Sequence, residues 1–236
     1  ILVKAEYGQL PDFSKSDSKN DIVFTWNGTT AGVRIKNTDW ISDEREGLVI
    51  CDATSAVFSM QMDWPKLDVV TYSWQKVLGS EAAHGMLILS PRAVERLESY
   101  TPPWPVPKVF RLAENQKLIK GIFSGATINT PSMISVEDVL NSLNWSIKVG
   151  GINELVKISE NNLKIVSDWI ESNENFEFLA KDPETRSCTS ICILPKDDWF
   201  VNLDDGKKAQ VMKEVCSELE NNEAGYDLNS YKTAPP

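Results

Sequence analysis

Histidine is nearly missing from this chain, cysteine is sparse, positive charge is in deficit, and long apolar runs do not occur. Each shortage excludes a class of protein. The one histidine, His84, and the four cysteines, Cys51, Cys188, Cys192 and Cys216, are too few and too scattered for a zinc centre. Cys188 and Cys192 lie close together, but no second pair or histidine stands near them. No metal is expected, and the cysteines read as free thiols. Lys and Arg number 24 against 34 Asp and Glu, a net charge of −10, so a nucleic-acid partner is not expected. No stretch approaches the ~20 apolar residues that span a bilayer, so a membrane partner is not expected either. The chain opens on Ile1-Leu-Val3 without methionine or a secretory signal, from which a cytoplasmic location is expected. Both ends read as cut. Ile1 starts inside a strand-like run, and the chain stops at Ala234-Pro-Pro236.

What remains is an α/β pattern. A chain of 236 residues can bury about 70% of its unfolded surface, enough for one large or two modest domains. Short β-branched runs at Ile1–Ala5, Asp21–Trp26, Leu48–Cys51, Leu67–Thr71 and Met86–Leu89 predict strands. Ser90 followed by Pro91 predicts an N-capped helix over Pro91–Ser99. The segment Tyr100–Pro107 holds four of the twelve prolines and cannot be helical. Helices are predicted from near Pro131 past Trp145 and over Ile152–Ser172, broken at Gly150-Gly151. Beyond Phe176 the pattern gives a strand over Ser187–Leu194, a charged helix over Lys207–Asn221, and a loop or strand over Ala224–Tyr231. A boundary near residue 160 divides a larger domain, residues 1–160, from a smaller α/β domain, residues 161–236.

Two residues carry the candidate chemistry. Asp52 ends the run Gly47-Leu-Val-Ile-Cys-Asp52, and Lys76 follows the Leu67–Thr71 run behind Trp74 and Gln75. Both fall at the carboxyl ends of strands, where open α/β sheets take ligands. A lysine in such a setting is either a solvated turn residue or, if desolvated, an amine able to form a Schiff base. Pyridoxal phosphate needs this pair: an amine for its aldehyde and a carboxylate that keeps the pyridine nitrogen protonated. Thr29 and Thr30, after the Asn27-Gly28 turn, read equally as turn chemistry or as ligand contacts. Asn129 and Thr130, before Pro131, read as a helix N-cap or as ligand contacts. His84 reads as a packed, hydrogen-bonded residue.

The stretches TWNGTTAGVRI (Thr25–Ile35), CDATSA (Cys51–Ala56), SWQKVLGSEAAHGMLILSPRAVERLE (Ser73–Glu98) and INTPSM (Ile128–Met133) resemble the phosphoserine aminotransferase family. The likeness is greatest to its branch in alphaproteobacteria and some archaea, and it runs over essentially the whole chain, with parts of the usual enzyme missing from both ends. The resemblance implies a fold-type I transferase, with part of a large mixed-sheet domain and part of a smaller C-terminal α/β domain. It implies pyridoxal 5′-phosphate as cofactor and amino-group exchange between L-glutamate and 3-phosphohydroxypyruvate, giving O-phospho-L-serine and 2-oxoglutarate. Lys76 and Asp52 would be catalytic. Thr29, Asp52, Gln75 and Lys76 would hold the cofactor, with Asn129 and Thr130 contacting the cofactor phosphate of a neighbouring subunit in a homodimer. An alanine–glyoxylate-type aminotransferase, a cysteine desulfurase relative, or an inactive truncated fragment are the alternatives.

Overall fold

The computed structural model describes residues 1–228. The early apolar runs form β1 (Ile22–Thr25), β2 (Asn27–Gly28), β3 (Val33–Arg34), β4 (Val49–Asp52), β5 (Val69–Ser73) and β6 (Gly85–Leu89). The main sheet has the order β1-β4-β5-β6. β1, β4 and β5 run parallel, and β6 lies antiparallel to β5. β2 and β3 make a separate hairpin directly after β1. Helix α1 (Pro91–Ser99) leaves β6 with the Ser90 side chain accepting the Ala93 N–H, the cap that the Ser-Pro sequence predicts.

The hairpin of β7 (Ala113–Glu114) and β8 (Lys117–Leu118) turns on Asn115 and Gln116, both at positive φ, the hand that suits strand twist. Two long helices follow, α2 (Met133–Val149) and α3 (Gly151–Glu171), separated only by Gly150, with Gly150 and Gly151 at φ 121° and 73°. Side chains rarely adopt such angles, so the two glycines set the reversal between the helices. The later elements are β9 (Phe176–Phe178), antiparallel to β10 (Ile193–Pro195), then α4 (Asp198–Val201) and α5 (Asp205–Asn221).

The mixed α/β class is borne out. Val49, Cys51 and Val70 of the sheet form a core with Trp26, Ile41, Met60 and Leu67, and Leu163 and Ile170 of α3 join it together with Phe178 and Cys188. α3 runs through residue 160 unbroken.

Several expectations need correction. Residues 1–5 form no strand: among the described residues none pairs with them, and Ile1 and Leu2 stand exposed. The strand expected over 187–194 shrinks to Ile193–Pro195. There the Ser187 hydroxyl accepts the N–H groups of Thr189 and Ser190, a local turn that competes with a ladder. Asn129 and Thr130 do not cap α2. Ser132 does, accepting the Ser135 N–H. Within the stretch read as Ala224–Tyr231, residues 224–228 are turns and bends, and 229–231 lie outside the described residues.

One buried ion pair fixes the amino-terminal edge of the parallel strands. Asp68 is 1% exposed and Arg45 5%. Asp68 Oδ2 accepts from Arg45 Nε and Nη2, both at 3.1 Å, and from the Val49 N–H at 2.9 Å. Its Oδ1 accepts the Ser90 hydroxyl at 2.8 Å, with Arg92 alongside. Gly47 permits this edge to close, because a Cβ there would meet the Asn20 carbonyl oxygen at 1.9 Å. Asp68→Ala leaves Arg45 buried without its counter-charge, and about 3–5 kcal/mol of stability should go with it. Urea denaturation measures this, and a loss under about 1 kcal/mol would contradict the assignment.

Candidate functional site

The opposite edge gathers the candidate chemistry. Register sets Thr25, Asp52 and Thr71 abreast on β1, β4 and β5. Asp52 ends its strand with its side chain exposed. Its Oδ1 accepts the Thr54 N–H at 2.9 Å and the Thr54 hydroxyl at 2.7 Å, which turns the chain away from the sheet. Among the described residues Oδ2 has no hydrogen bond, so one oxygen is held and the other faces out. The Asp52 carbonyl accepts the Trp26 N–H at 2.9 Å. That bond ties β4 to the entry of the β2–β3 hairpin, whose turn carries Thr29 and Thr30.

β5 continues past Thr71 to Ser73 and then turns through Trp74, Gln75 and Lys76. The Ser73 hydroxyl donates to Gln75 Oε1 at 2.5 Å, folding the amide back on the strand end and leaving its NH₂ uncommitted among the described residues. Lys76 is exposed, and its amine has no hydrogen bond or ion pair among the described residues. Of the two readings of Lys76, this chain shows the solvated turn lysine. Trp74 packs on His84 with ring centroids 4.8 Å apart. His84 is packed as expected, but its Nε2 is buried without a hydrogen-bond partner, so the hydrogen-bonded reading does not hold at that atom.

Thr29, Asn129 and Thr130 are exposed, while Thr30 is partly buried. Asn129 and Thr130 make no hydrogen bond among the described residues. The start of α2 beside them is docked on the loop after Lys76: the Ser80 hydroxyl donates to the Ser135 carbonyl, and the Ser135 hydroxyl to Glu81, at 3.3 and 3.0 Å. The structure therefore brings Asp52, the Thr29 turn and the Gln75-Lys76 turn to one sheet edge, and it leaves Asn129 and Thr130 on an exposed segment.

The sequence reading missed the bonds made by Thr54 and Ser73 and the tilted Trp74–His84 ring contact. A hydroxyl two residues after Asp52, or two before Gln75, is the spacing of a local side-chain turn, so the first two were legible. No group of three or more His, Cys, Asp or Glu side chains among the described residues could hold a metal, and no helix is long and apolar enough to cross a membrane.

No family model matches the chain. Among solved structures, a phosphoserine aminotransferase from Cytophaga hutchinsonii has a TM-score of 0.67 at 20% identity, over 89% of this chain and 58% of that one. An alanine–glyoxylate aminotransferase from Nostoc has a TM-score of 0.63 at 16% identity, over 86% and 50%. These likenesses define the class: the fold is that of the fold-type I aminotransferases. The sequence is more specific. Phosphoserine aminotransferase of Methanosarcina mazei is 54% identical over 234 residues, 99% of this chain and 60% of the relative. That of Methanosarcina barkeri is 53% identical over the same shares. Over nearly its whole length the chain is similar to these phosphoserine aminotransferases, and it spans 60% of the length of these curated relatives.

Burial, helped by the neighbouring Asp52 carboxylate, pushes the Cys51 thiol up to about 12 from 9.0. The unfolded thiol ionises near 9 and the folded one does not, so stability from this group is complete below pH 9 and is lost as pH rises towards 12. At pH 8, iodoacetamide should spare Cys51 in the folded protein and label it only in urea. Rapid labelling of Cys51 without denaturant, read by peptide mass, would contradict its burial.

Proposed function

We propose that this chain supplies the cofactor-holding edge of a phosphoserine aminotransferase, which uses pyridoxal 5′-phosphate to exchange an amino group between L-glutamate and 3-phosphohydroxypyruvate. The products are O-phospho-L-serine and 2-oxoglutarate. One observation carries the reading: a strand-end carboxylate with an open oxygen, a threonine-bearing turn tied to it, and an unpaired lysine share one sheet edge. That donor set fits a phosphorylated pyridine aldehyde. Bound there, the cofactor supplies an electron sink for the substrate α-carbon.

In this reading Lys76 would hold the cofactor, and its amine would take and return the substrate α-proton. Asp52 Oδ2 keeps the pyridine nitrogen protonated, while Thr54 holds Oδ1 and so fixes the carboxylate plane. The Thr29 hydroxyl meets the ring oxygen, and the free NH₂ of Gln75 meets the phosphate. The exposed amine does not need to be desolvated by this chain alone, because the curated relatives are longer and their remaining residues can cover the edge.

Assembly, location and domain division belong to the same proposal. The protein is a cytoplasmic homodimer, with residues 1–160 in the large domain and 161–236 in the small one. Asn129 and Thr130 contact the partner's cofactor phosphate. Their exposure supports this, as do Ile128, Met133 and Ile134, which leave apolar surface open around them.

These assignments are tested in the protein at the length of its relatives. Lys76→Ala should leave the fold intact and turnover from phosphoserine at background; more than trace turnover would remove Lys76 from its role. Asp52→Asn should retain some cofactor and lose about two to three powers of ten in rate, roughly 3–4 kcal/mol. A near-normal kcat would reduce Asp52 to a turn residue. Faster turnover with alanine than with phosphoserine would assign the chain to the alanine–glyoxylate type instead.

Subunit sharing has its own test. Lys76→Ala protein is mixed with an Asn129→Ala/Thr130→Ala variant under conditions that exchange subunits. Heterodimers with one complete site should recover activity from two inactive parents. No recovery after proven exchange would assign all these residues to one subunit's site.

A further inference from the structure

The stretch Ser187–Cys192, read from sequence as a strand, is instead a strap of short hydroxyl and thiol side chains that reaches two turns at once. The Thr189 hydroxyl donates to the Ser55 carbonyl at 2.9 Å, inside the turn that follows Asp52. On the other side, Asn27 Nδ2 donates to the Ser190 hydroxyl at 3.2 Å, and the Ser187 N–H donates to the Gly32 carbonyl at 3.0 Å. The Cys192 thiol donates to the carbonyls of Thr29 and Thr30, both at 3.6 Å. Burial pushes that thiol up, so its proton stays on sulfur and remains available to donate.

The strap also lies close against the hairpin. Gly32 has φ 65°, and a Cβ there would stand 3.0 Å from the Cys192 Cβ. Ion pairs from Arg34 to Glu160 and from Lys36 to Glu184 pin the returning strand to the later chain. The two turns that carry Thr29 and Asp52 are therefore joined twice: by the Trp26–Asp52 backbone bond within the sheet edge, and by this strap from outside it.

We propose that Thr189 and Cys192 are positioning residues. Their hydroxyl and thiol hold the Thr29 turn and the Asp52–Ser55 turn in one fixed relation, so that hydroxyl and carboxylate meet the same cofactor ring. This rests on the functional reading above. Neither residue touches the cofactor, and both act through main-chain carbonyls. If the strap only packs, its loss lowers the stability of the whole fold and does nothing specific to these two turns.

The test uses the protein at the length of its relatives, with Thr189→Val, Cys192→Ala, the double variant, and Cys192→Ser, which keeps a donor. Affinity for pyridoxal 5′-phosphate is read by visible absorbance titration. Amide exchange over residues 28–32 and 53–56 and thermal unfolding are both read on the cofactor-free protein. The double variant should bind the cofactor about tenfold more weakly, in line with two lost hydrogen bonds. Both turns should exchange faster while the melting temperature falls by no more than the roughly 4–8 °C that two hydrogen bonds account for. Cys192→Ser should recover the affinity lost in Cys192→Ala. Affinity within about twofold of the parent in the double variant, or a loss accompanied by a larger fall in melting temperature, overturns the proposal. Failure of the parent itself to bind counts against the functional reading and not the strap. In that case unchanged exchange in the two turns overturns the strap.

Discussion

The buried carboxylate of Asp68 is the constraint from which the rest of the sheet takes its position. It lies immediately before β5, accepts the first N–H of β4, receives the Arg45 fork, and holds Ser90 where β6 passes into α1. Three strands and a helix start or end within reach of one side chain. A carboxylate is costly to bury, and a complete set of donors offsets that cost only in one arrangement. A slip of one residue in β4 or β5 would strand the charge and turn apolar side chains to solvent. Register is thereby specified by electrostatics at one edge and by Val49, Cys51 and Val70 between the edges.

The opposite edge has the reverse character. Its carboxylate is exposed, its lysine unpaired, and its turns are held by hydroxyls and carbonyls, with Trp74 packed on His84. Rigidity is imported from the sheet, through the Trp26–Asp52 bond and the continuous run of β5 into Ser73, and from the later chain through residues 187–192. This division of labour, a closed edge for register and an open edge for ligand, is the arrangement that parallel sheets in α/β proteins make available. It also explains why the open edge tolerates groups that would be destabilising if buried without partners.

Features set by neighbours in sequence were readable from sequence. Ser90-Pro91 announces its helix because cap and first turn are adjacent, and Gly150-Gly151 announces its break for the same reason. The apolar runs ending at Asp52 and near Ser73 declared strands whose carboxyl ends carry the candidate groups. Features set by distant partners were not readable. Ile1–Ala5 has strand composition but pairs with no strand among the described residues. Ser187–Leu194 has it too, yet Ser187 satisfies its own following amides and the segment is spent on contacts with Asn27, Thr29 and Ser55. Asp68 passed unnoticed because its Arg45, Val49 and Ser90 partners are scattered along the chain. The exposure of Lys76 depends on what lies over the edge, which local sequence does not encode.

The central claim is that the open edge holds pyridoxal phosphate through Lys76. The most direct measurement is chemical. The protein at the length of its relatives is incubated with pyridoxal 5′-phosphate, reduced with borohydride, digested, and mapped by mass spectrometry. The account predicts a phosphopyridoxyl group on the peptide containing Ser73-Trp-Gln-Lys76, at the Lys76 amine, before any other lysine is labelled. Preferential labelling of a different lysine, or no covalent label at saturating cofactor, would contradict it.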